Sequence, residues 1–378
     1  MLRQREYFGF DSIENLRMLL AENKPKKIFL VTGKESYHKS GASSDITRYL
    51  GDYDVISFRD FSAIPLLQDV EKGIAKFRKK GCDLVIAVGG GSVIDVAKLV
   101  NILAHQDGSP IEYVKQIKKI ERPSKPLIAI PTTAGSGSEA THFAVVYVEE
   151  EKFSVASEYI LPTYCIIDPN FTMNLPPMIS ATSGMDALCQ AIESYWSINA
   201  TFQSRELSKK AIILILNNLV DAVNNPTREA RLSMCEASNL AGKAINISKT
   251  TAPHAISYPL TYYFGIPHGH AVGLTLGEFL VLNGNINEEN AAGGLVLRDY
   301  KRAFSELLQA LGVSDTISAK QKISKLMKDI GLDTRLSRLN IDTENFEKIL
   351  HNVNIERLNN NPRILTQDDL RDVLKAIF

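Results

Sequence analysis

The sequence predicts an α/β domain with a mainly parallel sheet over residues 1–178, followed by an all-α domain over residues 179–378. Three observations carry this. A chain of 378 residues exceeds one ordinary core and divides naturally into two domains. From residue 26 onward, short β-branched runs alternate with helical stretches, the pattern of βαβ units. After "LPPMISATSG" the apolar period becomes 3.6 and strand signals almost vanish, with Pro176 and Pro177 punctuating the change.

The elements follow in order. "KKIFLVTG", "YDVISF", "CDLVIAVGG", "PLIAIPTT" and "TYCIIDP" are short, rich in β-branched residues and bounded by turn residues, so each reads as a strand of one parallel sheet. In the second half, "SKKAIILILNNLVDAV", "RLSMCEASNLAGKAI", "DYKRAFSELLQAL" and "KQKISKLMKDI" repeat apolar residues at helical spacing. No internal repeat or low-complexity segment interrupts them.

Composition excludes several partners. The 43 basic and 43 acidic residues cancel, and no basic patch is interleaved with aromatics, so nucleic acid is not expected. The start lacks the apolar core of a signal peptide and no window approaches 18 apolar residues, so a soluble, cytoplasmic chain without membrane contact is expected. Cys82, Cys165, Cys189 and Cys235 form no CxxC pair, which argues for reduced, buried thiols.

Two glycine-rich loops suggest a phosphate ligand. In "LVIAVGGGSVIDVAKLV" a buried strand leads through Gly89, Gly90 and Gly91 into a helix whose first turn holds Ser92 and Asp95. Glycines let backbone N–H groups approach a ligand, and a helix N-terminus adds about half a positive charge. Alone, the triple glycine has a plainer reading as a tight strand-to-helix turn, over which a phosphate loop is favoured. The loop is neither GxGxxG nor a P-loop. "PTTAGSGSEAT" adds Thr132, Thr133, Ser136 and Ser138 after the next strand, and open α/β sheets bind ligands beyond their carboxyl strand ends.

The helical half suggests a metal. In "GMDALCQAIESY", Asp186 and Gln190 lie four apart and can point from one helix face at one spot. "APHAISYPLTYYFGIPHGHAV" supplies His254, on a helical stretch that Pro259 is expected to break, and His268 after Pro267. Two imidazoles and a carboxylate are a minimum set for a divalent ion with an open position, and the Gln190 amide oxygen is a weak fourth donor. Each residue has a plainer reading: either histidine could be hydrogen-bonded core, and Asp186 could be a helix N-terminal charge.

"GGGSVIDVAK", "PTTAGSGSEAT", "IIDPNFTMNLPP", "SGMDALCQAIESY", "ASNLAGKAIN", "HAISYPL", "GIPHGHAV" and "NNNPRILTQDDL", in this order, resemble the iron-containing (metal-dependent) alcohol dehydrogenase family over nearly the whole chain. The resemblance implies an N-terminal α/β domain binding NAD(P)H, an all-α C-terminal domain holding Fe²⁺ or Zn²⁺, and chemistry in a cleft. It places metal ligands on Asp186, His254 and His268. It also implies a homodimer or larger homo-oligomer and a small aldehyde/alcohol substrate. The reaction is aldehyde + NAD(P)H + H⁺ ⇌ alcohol + NAD(P)⁺.

Several positions depart from the family pattern. Gln190 stands where a third histidine ligand is usual, and Tyr258 where a histidine proton relay is common; Tyr258 and His270 are both candidates for that relay. Gly33 occupies the place of an aspartate that binds the adenosine ribose in NAD-preferring members, while Lys34, Ser36 and Lys39 could meet a 2′-phosphate, which favours NADPH. Lys152 matches a family lysine near the cofactor. The short termini and Gln190 are similar to a specialised branch such as the phosphonoacetaldehyde reductases. Two other classes stay open: a metal- and NAD-dependent lyase resembling dehydroquinate synthase, and a non-catalytic family member.

Overall fold

Six strands, β1 (Arg5–Phe8), β2 (Lys27–Thr32), β3 (Asp54–Phe58), β4 (Leu84–Gly89), β5 (Leu127–Pro131) and β8 (Tyr164–Ile167), form one sheet in the order β1-β8-β5-β4-β2-β3, every pairing parallel. The computed structural model describes residues 4–378. A separate antiparallel hairpin joins β6 (Phe143–Val148) to β7 (Glu151–Ala156).

Strand alternation explains the continuous apolar runs. Phe29, Val31, Val85 and Ala87 face one core, whereas Ile28, Leu30, Leu84 and Ile86 face another on the opposite side of the sheet. The helices of this half are α1 (Asn15–Asn23), α2 (Ser36–Lys39), α3 (Ala42–Leu50), α4 (Leu67–Lys80), α5 (Gly91–Leu103) and α6 (Pro110–Val114). Residues of α1 and α3 join the second core, and those of α4 and α5 the first. The chain passes from β2 outward to β3 and then returns to the other side of β2 with β4, so strand order reverses between β2 and β4.

The second half is helical: α7 (Pro177–Trp196), α8 (Phe202–Asn224), α9 (Arg228–Ser248), α10 (Ala252–Phe264), α11 (His268–Gly284), α12 (Leu297–Ala310), α13 (Thr316–Asp329), α14 (Phe346–His351), α15 (Ile355–Leu358) and α16 (Gln367–Ala376). The chain divides into two compact units, Met1–Leu175 and Pro176–Phe378. In the second unit α7 is central, packing on α8, α9 and α11, and every residue from Gly184 to Trp196 is buried. Among the described residues, no helix is long and apolar enough to cross a membrane.

The helix carrying His254 does not break at Pro259, contrary to the expectation from sequence. It runs on to Phe264 and ends at Gly265, whose φ of 68° suits glycine. Proline has no N–H for the Ala255 carbonyl one turn back. The Asn354 N–H donates to that carbonyl instead, at 3.4 Å.

Candidate active site

In the first unit, the sheet brings three predicted loops side by side. Gly89 pairs with Pro131 across β4 and β5, and the Thr132 N–H donates to the Gly89 carbonyl at 3.0 Å. A Cβ on Gly91 would lie 2.6 Å from Ser136 Oγ, and one on Gly90 would lie 3.3 Å from Thr133 Oγ1, so the two glycine-rich loops touch. Gly33 follows β2, the strand beside β4, at the reversal of strand order where such sheets bind nucleotides.

This site fits a dinucleotide phosphate. Gly90 is the N-cap of α5 and offers no side-chain cap, leaving first-turn N–H groups at the helix's positive end beside Ser92. Thr132 Oγ1 is buried and, among the described residues, has no hydrogen-bond partner. Asp95 is engaged elsewhere: its carboxylate accepts from the Ser138 hydroxyl and, at 3.0 Å, from the Val145 N–H. Burial pushes its pKa up against the pull of neighbouring Lys98.

Lys98 is a residue that sequence reading passed over. Its buried ammonium donates to the Thr141 carbonyl at 2.8 Å, the Thr141 hydroxyl at 3.0 Å and the Phe143 carbonyl at 3.0 Å. It thereby pins the end of the second loop to α5. Burial lowers its pKa to about 8, with Asp95 and Glu139 opposing.

The lysines near Gly33 have acidic partners. Lys34 pairs with Asp60 at 3.7 Å and Lys39 with Glu35 at 2.6 Å, all four side chains being exposed. Ser36 Oγ sits where a Cβ on Gly33 would point, 2.1 Å from it. Next to these residues, a cavity of about 470 Å³ is lined by Thr32, Tyr37, Arg59, Asp60 and Lys76. Lys152, on β7, faces the Tyr147 ring at 5.9 Å.

In the second unit, Asp186, His254 and His268 come together, with one candidate donor atom from each lying within 4.8 Å of the others. His254 Nε2 is 3.4 Å and His268 Nε2 4.0 Å from Asp186 Oδ1. Donors bound about 2.0–2.1 Å from a tetrahedral ion stand roughly 3.4 Å apart, so the spacing suits a divalent metal. Asp186 is the tenth residue of α7, beyond the reach of a helix N-terminal charge effect. Gln190 is buried one turn further along the same helix.

Glu193 orients the site from behind. Its Oε1 accepts from His254 Nδ1 at 2.5 Å, which leaves Nε2 directed at Asp186. Its Oε2 accepts from the Thr251 N–H at 2.7 Å and the Thr251 hydroxyl at 3.0 Å, and the Trp196 indole donates to that hydroxyl at 2.9 Å. A carboxylate behind a ligating imidazole fixes its tautomer and strengthens it as a donor. Burial alone would lower the His254 pKa, but the Glu193 and Asp186 carboxylates overcome it and raise the imidazole to about 10. A metal on Nε2 therefore displaces a proton. Glu193→Gln is expected to weaken Zn²⁺ binding about 10- to 100-fold while helix content is unchanged. Competition with a chromophoric chelator measures this, and an unchanged affinity would refute the orienting role.

Ser257 holds the other histidine. Its hydroxyl donates to the His254 carbonyl at 2.7 Å and lies 3.4 Å from His268 Nδ1, which turns His268 Nε2 toward Asp186. Of the two relay candidates, the Tyr258 ring stacks on His268 with centroids 5.8 Å apart. His270 is directed away: its Nε2 donates to the Asp333 carbonyl at 2.6 Å.

Comparison with known proteins agrees along the chain. The profile described as "Iron-containing alcohol dehydrogenase" matches residues 4–169, and "Fe-containing alcohol dehydrogenase family, C-terminal" matches residues 180–378. Long-chain-alcohol dehydrogenase 1 of Geobacillus thermodenitrificans is 32% identical over 86% of this chain and 82% of its own. Phosphonoacetaldehyde reductase of Streptomyces viridochromogenes is 32% identical over 77% of this chain and 75% of its own. The crystal structure of sulfoacetaldehyde reductase from Bifidobacterium kashiwanohense in complex with NAD⁺ superposes with a TM-score of 0.88 at 33% identity, covering 100% of this chain and 97% of that one.

Proposed function

The chain belongs to the iron-containing alcohol dehydrogenase family, and on that premise we propose that it interconverts a small aldehyde and its primary alcohol by hydride exchange with NAD(P)H. In this reading Asp186, His254 and His268 hold Fe²⁺ or Zn²⁺, with the Gln190 amide as a weak further donor. The observation that carries it is the convergence of one carboxylate and two imidazoles, backed by Glu193. Functionalised aldehydes such as phosphonoacetaldehyde fall within the same reading, two matched proteins being named for phosphonoacetaldehyde and sulfoacetaldehyde reduction.

When bound, the divalent ion supplies Lewis acidity toward a carbonyl oxygen and the nicotinamide supplies hydride. The chain supplies position. Asp186 offsets part of the cation's charge, Glu193 and Ser257 fix which nitrogen of each imidazole faces it, and Tyr258 stands beside His268 as the proton-transfer candidate. Gly90, Gly91, Ser92, Thr132, Thr133 and Ser136 would hold the cofactor phosphates through backbone N–H groups and hydroxyls. The test is NADPH and NADH oxidation at 340 nm across an aldehyde panel, with chain stripped of metal and then reloaded with Fe²⁺ or Zn²⁺. Metal-dependent stoichiometric oxidation supports a dehydrogenase. Turnover without net cofactor consumption would instead support the lyase.

NADPH is the preferred cofactor in this proposal. Gly33 itself presents no carboxylate to repel a 2′-phosphate, Ser36 lies against it, and the neighbouring cavity carries Arg59 and Lys76 beside Asp60, whose charge Lys34 pairs. The pairs of Lys34 and Lys39 are solvent-exposed and screened by water, so exchanging their partners for a phosphate costs little. We expect kcat/KM to be about 10-fold higher with NADPH than with NADH. Measured constants that are equal, or that favour NADH, would reject this preference.

A further inference from the structure

Helix α5 carries Asp95 and Lys98 one turn apart on one face, and Lys98 is only 1% exposed. Both reach the same stretch of chain. The Lys98 ammonium donates to the Thr141 carbonyl and hydroxyl, to the Phe143 carbonyl and, at 3.3 Å, to the Ser138 hydroxyl. The Asp95 carboxylate accepts from that same hydroxyl and from the Val145 N–H. One helix face thus holds residues 138–145 at Ser138, Thr141, Phe143 and Val145.

This stretch closes the second glycine-rich loop, whose other end is fixed where the Thr132 N–H donates to the Gly89 carbonyl. Between the two anchors the Ser138 N–H donates to Ser136 Oγ at 3.3 Å, and that oxygen stands 2.6 Å from where a Cβ on Gly91 would lie. A path of direct contacts therefore runs from Lys98 through Ser138 and Ser136 to the first turn of α5, the place assigned above to the cofactor phosphates. Oxygens of the loop already surround the three N–H bonds of the ammonium, so Lys98 acts on a ligand only through that loop. An apolar side chain would fill the same space without the loss of hydration that a buried ammonium suffers. What the ammonium adds is direction. A methyl group packs against a loop in many arrangements, whereas N–H bonds to fixed oxygens permit few.

We propose that Lys98 is a positioning residue for the cofactor: by tying Ser138, Thr141 and Phe143 to α5, it keeps Ser136 and its neighbours turned toward the pyrophosphate. The inference rests on the dehydrogenase reading above and adds to it a residue that governs cofactor affinity without contacting the phosphates.

The test measures dissociation constants of NADPH and ADP-ribose by calorimetry in wild type, K98M and D95N/K98M, together with melting temperature and Zn²⁺ affinity. K98M strands the Asp95 carboxylate and should melt about 10 °C lower. The double variant removes that stranded charge, and an asparagine there still accepts from the Val145 N–H, so most of the melting temperature should return. Cofactor affinity should not return. Both ligands are expected to bind at least about 10-fold more weakly than to wild type, the loss of one well-placed hydrogen bond to a phosphate. In steady state the cofactor KM should rise by the same factor while kcat at saturating cofactor stays within about threefold. Zn²⁺ affinity should not change, because its ligands belong to the second unit. T141V keeps both charges and takes one oxygen from the ammonium, so about 3-fold weaker binding of both ligands is expected with little change in melting temperature. Affinity that recovers with melting temperature in the double variant, unaltered binding in T141V, or Zn²⁺ lost in proportion to cofactor would reduce Lys98 to a packing role and overturn the proposal. Wild type that binds neither ligand would overturn the dehydrogenase reading with it.

Discussion

Asp186→Ala is expected to leave less than about a tenth of an equivalent of metal per chain and to lower kcat by about 10³-fold or more, with helix content unchanged. Asp186 supplies the carboxylate of the cluster, its Oδ1 facing His254 Nε2 at 3.4 Å and His268 Nε2 at 4.0 Å. Two neutral imidazoles without it offer an ion neither charge balance nor a third anchor. Asp186→Asn keeps the side-chain volume and removes the charge, so it should retain more metal than the alanine variant but less than wild type. Metal analysis and steady-state assays on the same preparations read both effects. Full metal content with unimpaired turnover in Asp186→Ala would remove the assignment.

Gly269→Ala should be the most damaging change of a single methyl group. A Cβ there would stand 1.9 Å from the Thr182 carbonyl oxygen and 2.8 Å from both the Asp186 Cβ and its backbone nitrogen. These are mostly backbone atoms of the central helix α7, which cannot rotate aside. Helix α11 would have to move away from α7, taking His268, its first residue, away from Asp186. The close crossing continues at Gly273, where a Cβ would lie 2.9 Å from Met185 Cγ. Overpacking of this kind costs about 3 kcal/mol, which lowers the melting temperature by roughly 6–12 °C. Metal should be lost in parallel. Gly293→Ala is the control, since nothing lies within 4 Å of the added atom. A Gly269→Ala chain that melts with wild type and keeps its metal would show that the helix contact does not set the cluster.

The parallel sheet was legible because β2, β4, β5 and β8 are buried on both faces and read as continuous apolar runs. Strand β1 was not, because it is a four-residue edge strand whose side chains are largely exposed, so burial leaves no pattern in its sequence. The β6–β7 hairpin turns through Glu149 and Glu150, with Glu149 at a φ of 55°, and so lacks the glycine or asparagine that marks such turns. Continuation of α10 past Pro259 depends on Asn354, a donor far along the chain that no local window contains.

The candidate site divides in the same way. Asp186, His254 and His268 stand out because carboxylate and imidazole are conspicuous in apolar helices. Glu193 lies in the same quoted helix but reads as any glutamate until His254 and Thr251 are folded against it. Lys98 looks like an ordinary solvated charge at a helical position; only its burial distinguishes it. The signals missed are therefore partnerships across long sequence separations, which local periodicity does not carry.

The most direct measurement is anomalous diffraction from crystals grown with Zn²⁺, or anaerobically with Fe²⁺, recorded on both sides of the metal's absorption edge. One peak per chain is expected, about 2.0–2.2 Å from an Asp186 carboxylate oxygen and from Nε2 of His254 and His268. No peak at these three residues, or full occupancy at another cluster of side chains, would contradict a metal-dependent dehydrogenase built on them.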